Sequence, residues 1–472
     1  MTSRSAIDGM TWVFASNTLA RLVTVAGQVV VGWLLVPEDF GIYALALSMS
    51  AMITALRNGG IGQIMIQRAE ELHAKVRLYR NYSLAINALG TLILLAMAAP
   101  AFGERTSLAL VLTGIALSLP LSAPSLIYRS RLIVDRNFRA VASMTLWSTL
   151  LWHASIALLA FAGLGPVSFA IAPLLQASYE SIAGRRYAGA LPVDPPAHKT
   201  QWRDYFLLFA DTRWIMLSSA ALALATNGVY FAVSALTDTR TVGIFFFAFQ
   251  LVLALSMPVY SAIETVLPTV LSSLNRDRSQ QVVLYARVVR GIAVAGIPFS
   301  IVCALLLPWL MNLVWRGKWD IAAPAAQILV TCIPVWLIVN AGRALIDARG
   351  LWRVRFWVLS AYAVGGIAVA AVASRYHGTV ESIAIALAVF YALFVAVFVM
   401  IQTRLGVPWR SILLVLSVAA AISIAALLLA LGIAGTSAVA VMLLFVGLAV
   451  VGNLLLRHTW QDIFLTVSTY RR

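Results

Sequence analysis

Glu38 and Asp39 stand side by side in the stretch PEDFGIY, Pro37 to Tyr43. An adjacent acid pair is equipment for general acid–base chemistry. It also suits the first turn of a helix, where unpaired N–H groups and the positive end of the dipole favour carboxylates. Other ionisable residues lie deeper in apolar sequence, where each costs about 2.5–3.5 kcal/mol on insertion scales and so marks a working site by default. Asn17, Arg21, Thr24 and Gln28 recur at helical spacing and put four polar groups on one face. Ser50, Thr54 and Arg57 share a second face, with Asn58 adjacent. A guanidinium fork on such a face suits phosphate or carboxylate. Asp211 shares a face with Ser218, followed by Thr226 and Asn227, and Glu264 shares one with Gln250 and Ser261. Those two carboxylates are candidates for proton or sodium coupling, the alternative being an ion pair with an arginine of a neighbouring helix. Asn340, Arg343 and Asp347 lie together, with Arg343 and Asp347 at i,i+4 spacing as a gate or structural pair. Arg287 and Arg290 could hold headgroup or substrate phosphates.

The elements that position these groups are membrane helices. The chain of 472 residues is 61% hydrophobic and 11% charged, outside the range of soluble domains. Fourteen stretches approach the roughly 20 apolar residues that a bilayer core of about 30 Å requires. They are 12–35, 41–66, 82–102, 107–127, 140–162, 166–184, 206–235, 242–271, 288–314, 321–345, 354–374, 379–402, 409–432 and 436–456. The first is too long for a signal-peptide core and carries Arg21 in its middle, so it reads as a retained helix. With the N-terminus inside, 24 of the 34 Lys and Arg residues fall in cytoplasmic segments. Exterior loops hold only Arg105, Arg240, Arg316, Lys318 and Arg375. The positive-inside bias predicts cytoplasmic termini and accounts for the +16 charge without a nucleic-acid partner.

A polar, proline-containing linker around Arg185 to Arg203 splits the chain after the sixth span, and the two sides echo one another. DFGIYALA (Asp39 to Ala46) matches TVGIFFFA (Thr241 to Ala248), LYR at Leu78 matches LYAR at Leu284, and GPVSFAIA at Gly165 matches GTVESIAIA at Gly378. Same-order matches of this kind point to parallel repeats. The expected architecture is an all-α polytopic membrane protein of about 14 transmembrane helices. It has an N-terminal lobe at 1–184, a linker at 185–205, a C-terminal lobe at 206–404, and two further helices with a cytoplasmic tail at 405–472. In the second copy Arg240 stands opposite Glu38 and Thr241 opposite Asp39. The acid pair is therefore not repeated while a capping side chain is, and punctuation of a helix start is the better reading.

Several chemistries lack their residues. The sequence carries no GxxxxGK[ST] loop, no HExxH and no CxxC, and GGIG at Gly59 reads as small-residue helix packing. Cys303 and Cys332 both fall within predicted spans, which disfavours a disulfide framework or metal cluster. No catalytic residue, metal ligand or cofactor is expected beyond a coupling H+ or Na+.

Five stretches carry a family resemblance: LVPEDFGIYALA leading into NGGIGQ, YRSRLIVDRNF before the fifth span, GLGPVSFAI at the sixth, LPTVLSSLNRDR after the eighth, and the long run from Gly296 to Val330. In them, and across nearly its whole length, the chain resembles the polysaccharide-unit flippases of the multidrug/oligosaccharidyl-lipid/polysaccharide exporter superfamily. The resemblance implies two six-helix lobes around a central cavity lined by helices one, two, seven and eight, opening alternately to either side. It implies a cargo of oligosaccharide on undecaprenyl pyrophosphate, flipped outward across the bacterial inner membrane beside membrane lipids, a polymerase and a chain-length regulator. It also implies cavity arginines for the pyrophosphate, with Arg21 and Arg57 on the expected helices; Asn17, Gln28, Arg290 and Arg343 are the further substrate-binding candidates from the helix faces themselves. Asp211 and Glu264 stay the coupling candidates. The alternatives are a lipid II flippase, a multidrug cation antiporter, whose cargo calls for an acid where the first lobe offers only Glu180 near a helix end, and a membrane glycosyltransferase, which wants a large exterior domain.

Overall fold

The protein is described by a computed structural model covering residues 3–58, 61–68, 75–189, 201–274, 277–403 and 406. The linker residues 190–200, the GGIG glycines 59 and 60 and the thirteenth and fourteenth expected spans lie outside the described residues. Every regular element among the described residues is a helix. In chain order these are α1 Ser3–Leu34, α2 Pro37–Asn58, α3 Ile61–Gln67, α4 Val76–Ala98, α5 Ala101–Glu104, α6 Thr106–Val134, α7 Phe138–Phe161 and α8 Ser168–Ala188. There follow α9 Trp202–Leu236, α10 Thr239–Ser273, α11 Arg278–Trp315, α12 Ala323–Val330, α13 Ile333–Ala348, α14 Trp352–Tyr376 and α15 Val380–Thr403. Each of the first twelve apolar stretches falls on a helix or helix pair of this series. Nine helices among the described residues are long and apolar enough to cross a membrane.

Three stretches fall outside the nine, the first because only Thr18–Leu34 of it is an apolar helix among the described residues. The tenth is broken, with Asp320–Val330 and Ile333–Ala348 meeting at 47°. Pro334 lies at the second position of α13, where its missing N–H is tolerated, and the Thr331 hydroxyl donates to the Ile328 carbonyl at the break. The sixth, α8, places Gln176 and Glu180 on a cavity inside its unit, and that polarity keeps it off the strongly apolar set.

The chain divides into two compact units, Met1–Gly243 and Ile244–Arg472. In the first, α6 packs along α8, α1 along α7, and α2 along α9, with α4 against α6. In the second, α11 packs on α12 and α13, and α15 packs on α12, α13 and α14. Helix starts are set by local capping. Asn137 accepts the Ala140 N–H ahead of α7, and Asp277 accepts the Ser279 and Gln280 N–H groups ahead of α11. Outward faces carry large exposed apolar side chains such as Leu92, Leu158 and Leu393, which suits acyl chains. Exposed Trp202 and Tyr376 stand at helix ends, where amphipathic rings sit at headgroup level.

The acid pair at Glu38 and Asp39 resolves as helix punctuation. Asp39 Oδ2 accepts the Val36 N–H at 3.1 Å, the backward half of a capping box, and Glu38 lies 3.8 Å from Arg240 in an exposed pair. The expectation that Thr241 caps the second copy is corrected: Asp238 is the cap, accepting the Thr241 N–H at 2.8 Å and its hydroxyl at 2.9 Å. The Thr241 N–H is the first cause holding the Asp238 carboxyl below its ordinary value. Within the first unit the two copies of this stretch also touch. A Cβ on Gly41 would strike the Thr239 carbonyl, and one on Gly243 would strike the Pro37 carbonyl. The equivalent glycines thus bring the first turns of α2 and α10 into backbone contact.

Two outcomes follow for thermal unfolding of the purified protein. Gly41→Ala and Gly243→Ala should each destabilise by about 1–3 kcal/mol through overpacking. Gly103→Ala, with nothing within 4 Å, should leave the transition unmoved. Asp238→Ala should cost about 1 kcal/mol at neutral pH. Because its folded-state pKa is depressed, this contribution is present above the ordinary value of 3.8 and lost as pH falls through the lower folded value. The wild type and Asp238→Asn should therefore differ in transition temperature at neutral pH and converge in acid.

Candidate substrate and ion-coupling site

The face read as Ser50, Thr54 and Arg57 lines a cavity of about 350 Å3 inside the first unit, closed by residues of α6, α7 and α8. Arg57 Nη1 donates to Ser122 Oγ at 2.8 Å. The hydroxyls of Ser50, Thr54, Ser118 and Ser122 each donate their one hydrogen to a carbonyl of their own helix, three residues back. Only their lone pairs face the cavity, so its hydroxyl wall accepts and the guanidinium donates. Gln176 donates to Glu180 Oε1 at 3.2 Å on the same wall, and Tyr43, stacked on Phe169 at 4.0 Å, and Trp152 complete the lining. Sequence reasoning did not assemble Ser122, Gln176 and Glu180 with Arg57. The available signal was the four-residue spacing of Ser118 with Ser122 and of Gln176 with Glu180.

Both coupling candidates are held by arginines. Asp211 on α9 accepts from Arg68 Nη2 at 2.6 Å, with the two side chains 42% and 43% exposed. Arg68 follows α3, and nothing in its sequence setting singled it out. Glu264 on α10 accepts from Arg343 Nη2 at 2.6 Å. The same nitrogen donates to Asn340 Oδ1 at 2.7 Å, Asn340 donates onward to the Tyr260 carbonyl at 3.0 Å, and the guanidinium lies 5.9 Å from the Tyr260 ring centre.

The expected i,i+4 pair of Arg343 with Asp347 is corrected. Asp347 takes both its contacts from Arg355 Nη1, at 3.1 and 3.0 Å, across the turn between α13 and α14. Gly350, with φ of 67°, makes that turn and brings Arg355 back over the end of α13. Arg343 is thereby left to Glu264 and Asn340. The remaining candidates stay on their separate helices. Arg21 and Gln28 are half-buried on α1, where Thr24 returns its hydroxyl hydrogen to the Ala20 carbonyl, and Arg290 is half-buried on α11. Asn17 is helical in α1, and its side chain lies outside the described residues. Among the described residues no group of three or more His, Cys, Asp or Glu could hold a metal ion.

Known proteins resemble this chain in sequence family and in fold. The family model described as polysaccharide biosynthesis protein matches residues 30–324. No curated protein matches the chain in sequence. Among solved structures it is similar to an inward-facing multidrug resistance MATE family transporter of the MOP superfamily, at 14% identity and a TM-score of 0.63. That match covers 82% of this chain and 94% of that one. It is similar to the lipid II flippase MurJ in an inward closed conformation, at 12% identity and a TM-score of 0.63, over 94% and 99% of the two chains. A MOP superfamily transporter from Pyrococcus furiosus, described as having a binding pocket of reversed polarity, follows at 15% identity, a TM-score of 0.52 and coverage of 84% and 94%. The fold is that of the MOP superfamily, and the chain belongs to the polysaccharide biosynthesis protein family.

Proposed function

We propose that this protein is a secondary transporter that moves undecaprenyl-pyrophosphate-linked oligosaccharide repeat units from the cytoplasmic to the periplasmic leaflet by alternating access. The observation that carries the proposal is the placement of guanidinium groups inside the helical units: Arg57 faces an acceptor-lined cavity, and Arg343 is buried on a polar cradle. A pyrophosphate cannot cross hydrocarbon bare, and forked N–H donors replace its water at close range. Polyprenyl tails can stay among the lipids while the sugars travel through polar space. An inside-negative potential of about 100 mV assists outward movement of negative charge by about 2.3 kcal/mol per charge carried across.

A cation antiporter would want an uncompensated carboxylate in its cavity. Glu180 is the candidate, but it shares its cavity with Arg57, so the pair is close to neutral and suits a cation poorly. A lipid II flippase would use the same physics with a different sugar, and the similar fold of MurJ keeps that reading as the alternative. In the proposed orientation both termini are cytoplasmic in the bacterial inner membrane, Arg21, Gln28, Asn17 and Arg290 add contacts to the headgroup, and Asp211 and Glu264 carry H+ or Na+ coupling. The polymerase and chain-length regulator of the same polymer are the expected partners.

The test is the lipid pool of a deletion strain. An undecaprenyl-pyrophosphate repeat unit should accumulate there, and accumulation of lipid II instead would select the alternative. Arg57→Ala and Arg21→Ala should each lower polymer export about tenfold or more at unchanged membrane level, as expected for losing a charge-assisted contact of about 1.5–3 kcal/mol. The lysine variants should recover part of it, and full export by either alanine variant would remove that arginine from the mechanism.

A further inference from the structure

The second unit holds two ion pairs a turn apart, and they differ in a way that bears on substrate capture. Arg355 and Asp347 are both enclosed, at 12% and 18% side-chain exposure, and Asp347 takes both its contacts from one nitrogen. In the neighbouring pair Arg343 is 7% exposed while its partner Glu264 is 45% exposed. The cation is thus anchored from behind by Asn340 and the Tyr260 ring, and its carboxylate is the exposed member of the pair. An anion reaching that exposed side can replace the carboxylate without dismantling the cradle. Removing Asp347 from Arg355 would instead open a closed contact. The Arg68 and Asp211 pair lacks the asymmetry, since both members are about equally exposed.

We propose that Glu264 is a resident stand-in for phosphate on Arg343, and that a phosphate of the passenger's headgroup displaces it as the freed carboxylate takes up a proton from water. The inference rests on reading the passenger as a lipid phosphate, and it names the site where proton and cargo exchange. The charged and titratable groups that interact electrostatically with Glu264 are Arg343 and Asp347 on α13, Arg355 on α14, and Tyr260 one turn back on α10. The four charges cancel when Glu264 is ionised. One proton on Glu264 leaves a net positive site with its guanidinium donors released, and that state calls in an anion. Once the phosphate leaves, the carboxylate returns to Arg343 and the four charges cancel again. Binding and release of phosphate are thereby tied to proton uptake and loss at one oxygen.

Binding of inorganic pyrophosphate to the purified full-length chain, by calorimetry at about pH 5.5 and about pH 8, tests the exchange. The probe's own titration is common to all variants, so differences between proteins isolate Glu264. The wild type should bind more tightly in acid. Glu264→Gln should bind about tenfold more tightly than wild type at the alkaline end and lose the excess pH dependence, while Arg343→Lys weakens binding at both ends. Glu264→Asp retains the charge on a shorter arm and should fall between wild type and Gln, which keeps the test open should the Gln variant fold poorly. Equal affinity and pH dependence in wild type, Gln and Asp variants, or no pyrophosphate binding by any of them, would overturn the exchange. Its failure leaves the accumulating lipid of the deletion strain unexplained by it but unchanged. Conversely, the affinity shift without such accumulation would keep the exchange and sink the choice of cargo.

Discussion

The structure is governed by the cost of a guanidinium in a medium that cannot hydrate it. In low dielectric an unpaired charge is expensive by several kcal/mol, so a helix can carry an arginine inward only if other elements answer it. Arg57 is answered by a hydroxyl of α6, Arg343 by a carboxylate of α10 and an amide of its own helix, and Arg355 by a carboxylate of α13. Helix packing and site chemistry are therefore one problem. The helices that must touch to bury apolar area are also those that must touch to pair charge.

The answers are graded by exposure. A fully enclosed pair such as Arg355 with Asp347 specifies which helices meet and resists solvent. A pair with one exposed partner keeps its cation in place while leaving the anion the easier of the two to replace. An exposed pair contributes little to stability and is readily rearranged. A transporter that must grip and release a charged group needs the middle kind, and a fold that must survive the movement needs the first.

Much of this was legible in the sequence because hydrophobic periodicity is set by the bilayer and not by tertiary detail. The twelve apolar stretches before residue 404 fall on helices, and the grouping of Ser50, Thr54 and Arg57 on one wall follows from 3.6-residue geometry. That Asp211 and Glu264 would face arginines was one of two readings, and spacing alone could not name the partners, because each lies far away in sequence. The Arg343 and Asp347 assignment failed for the same reason. A four-residue interval sees only its own helix, whereas Arg355 returns to Asp347 over a glycine turn. The cap at Asp238 was missed by attending to the repeat's equivalent position, when the carboxylate three residues earlier reaches the same N–H. The break in the tenth span was signalled by Pro334 after Thr331 and Cys332, but a window of uniform apolarity hides a change in direction.

The seam where Gly41 lies on the Thr239 carbonyl and Gly243 on the Pro37 carbonyl fixes how two helix starts meet. Backbone against backbone leaves no room for a side chain at the contact itself, although Gly41 and Thr239 also line a cavity of about 490 Å3 beside it. Since one glycine comes from each of the two matching stretches, enlarging either side would part the same pair of helix turns.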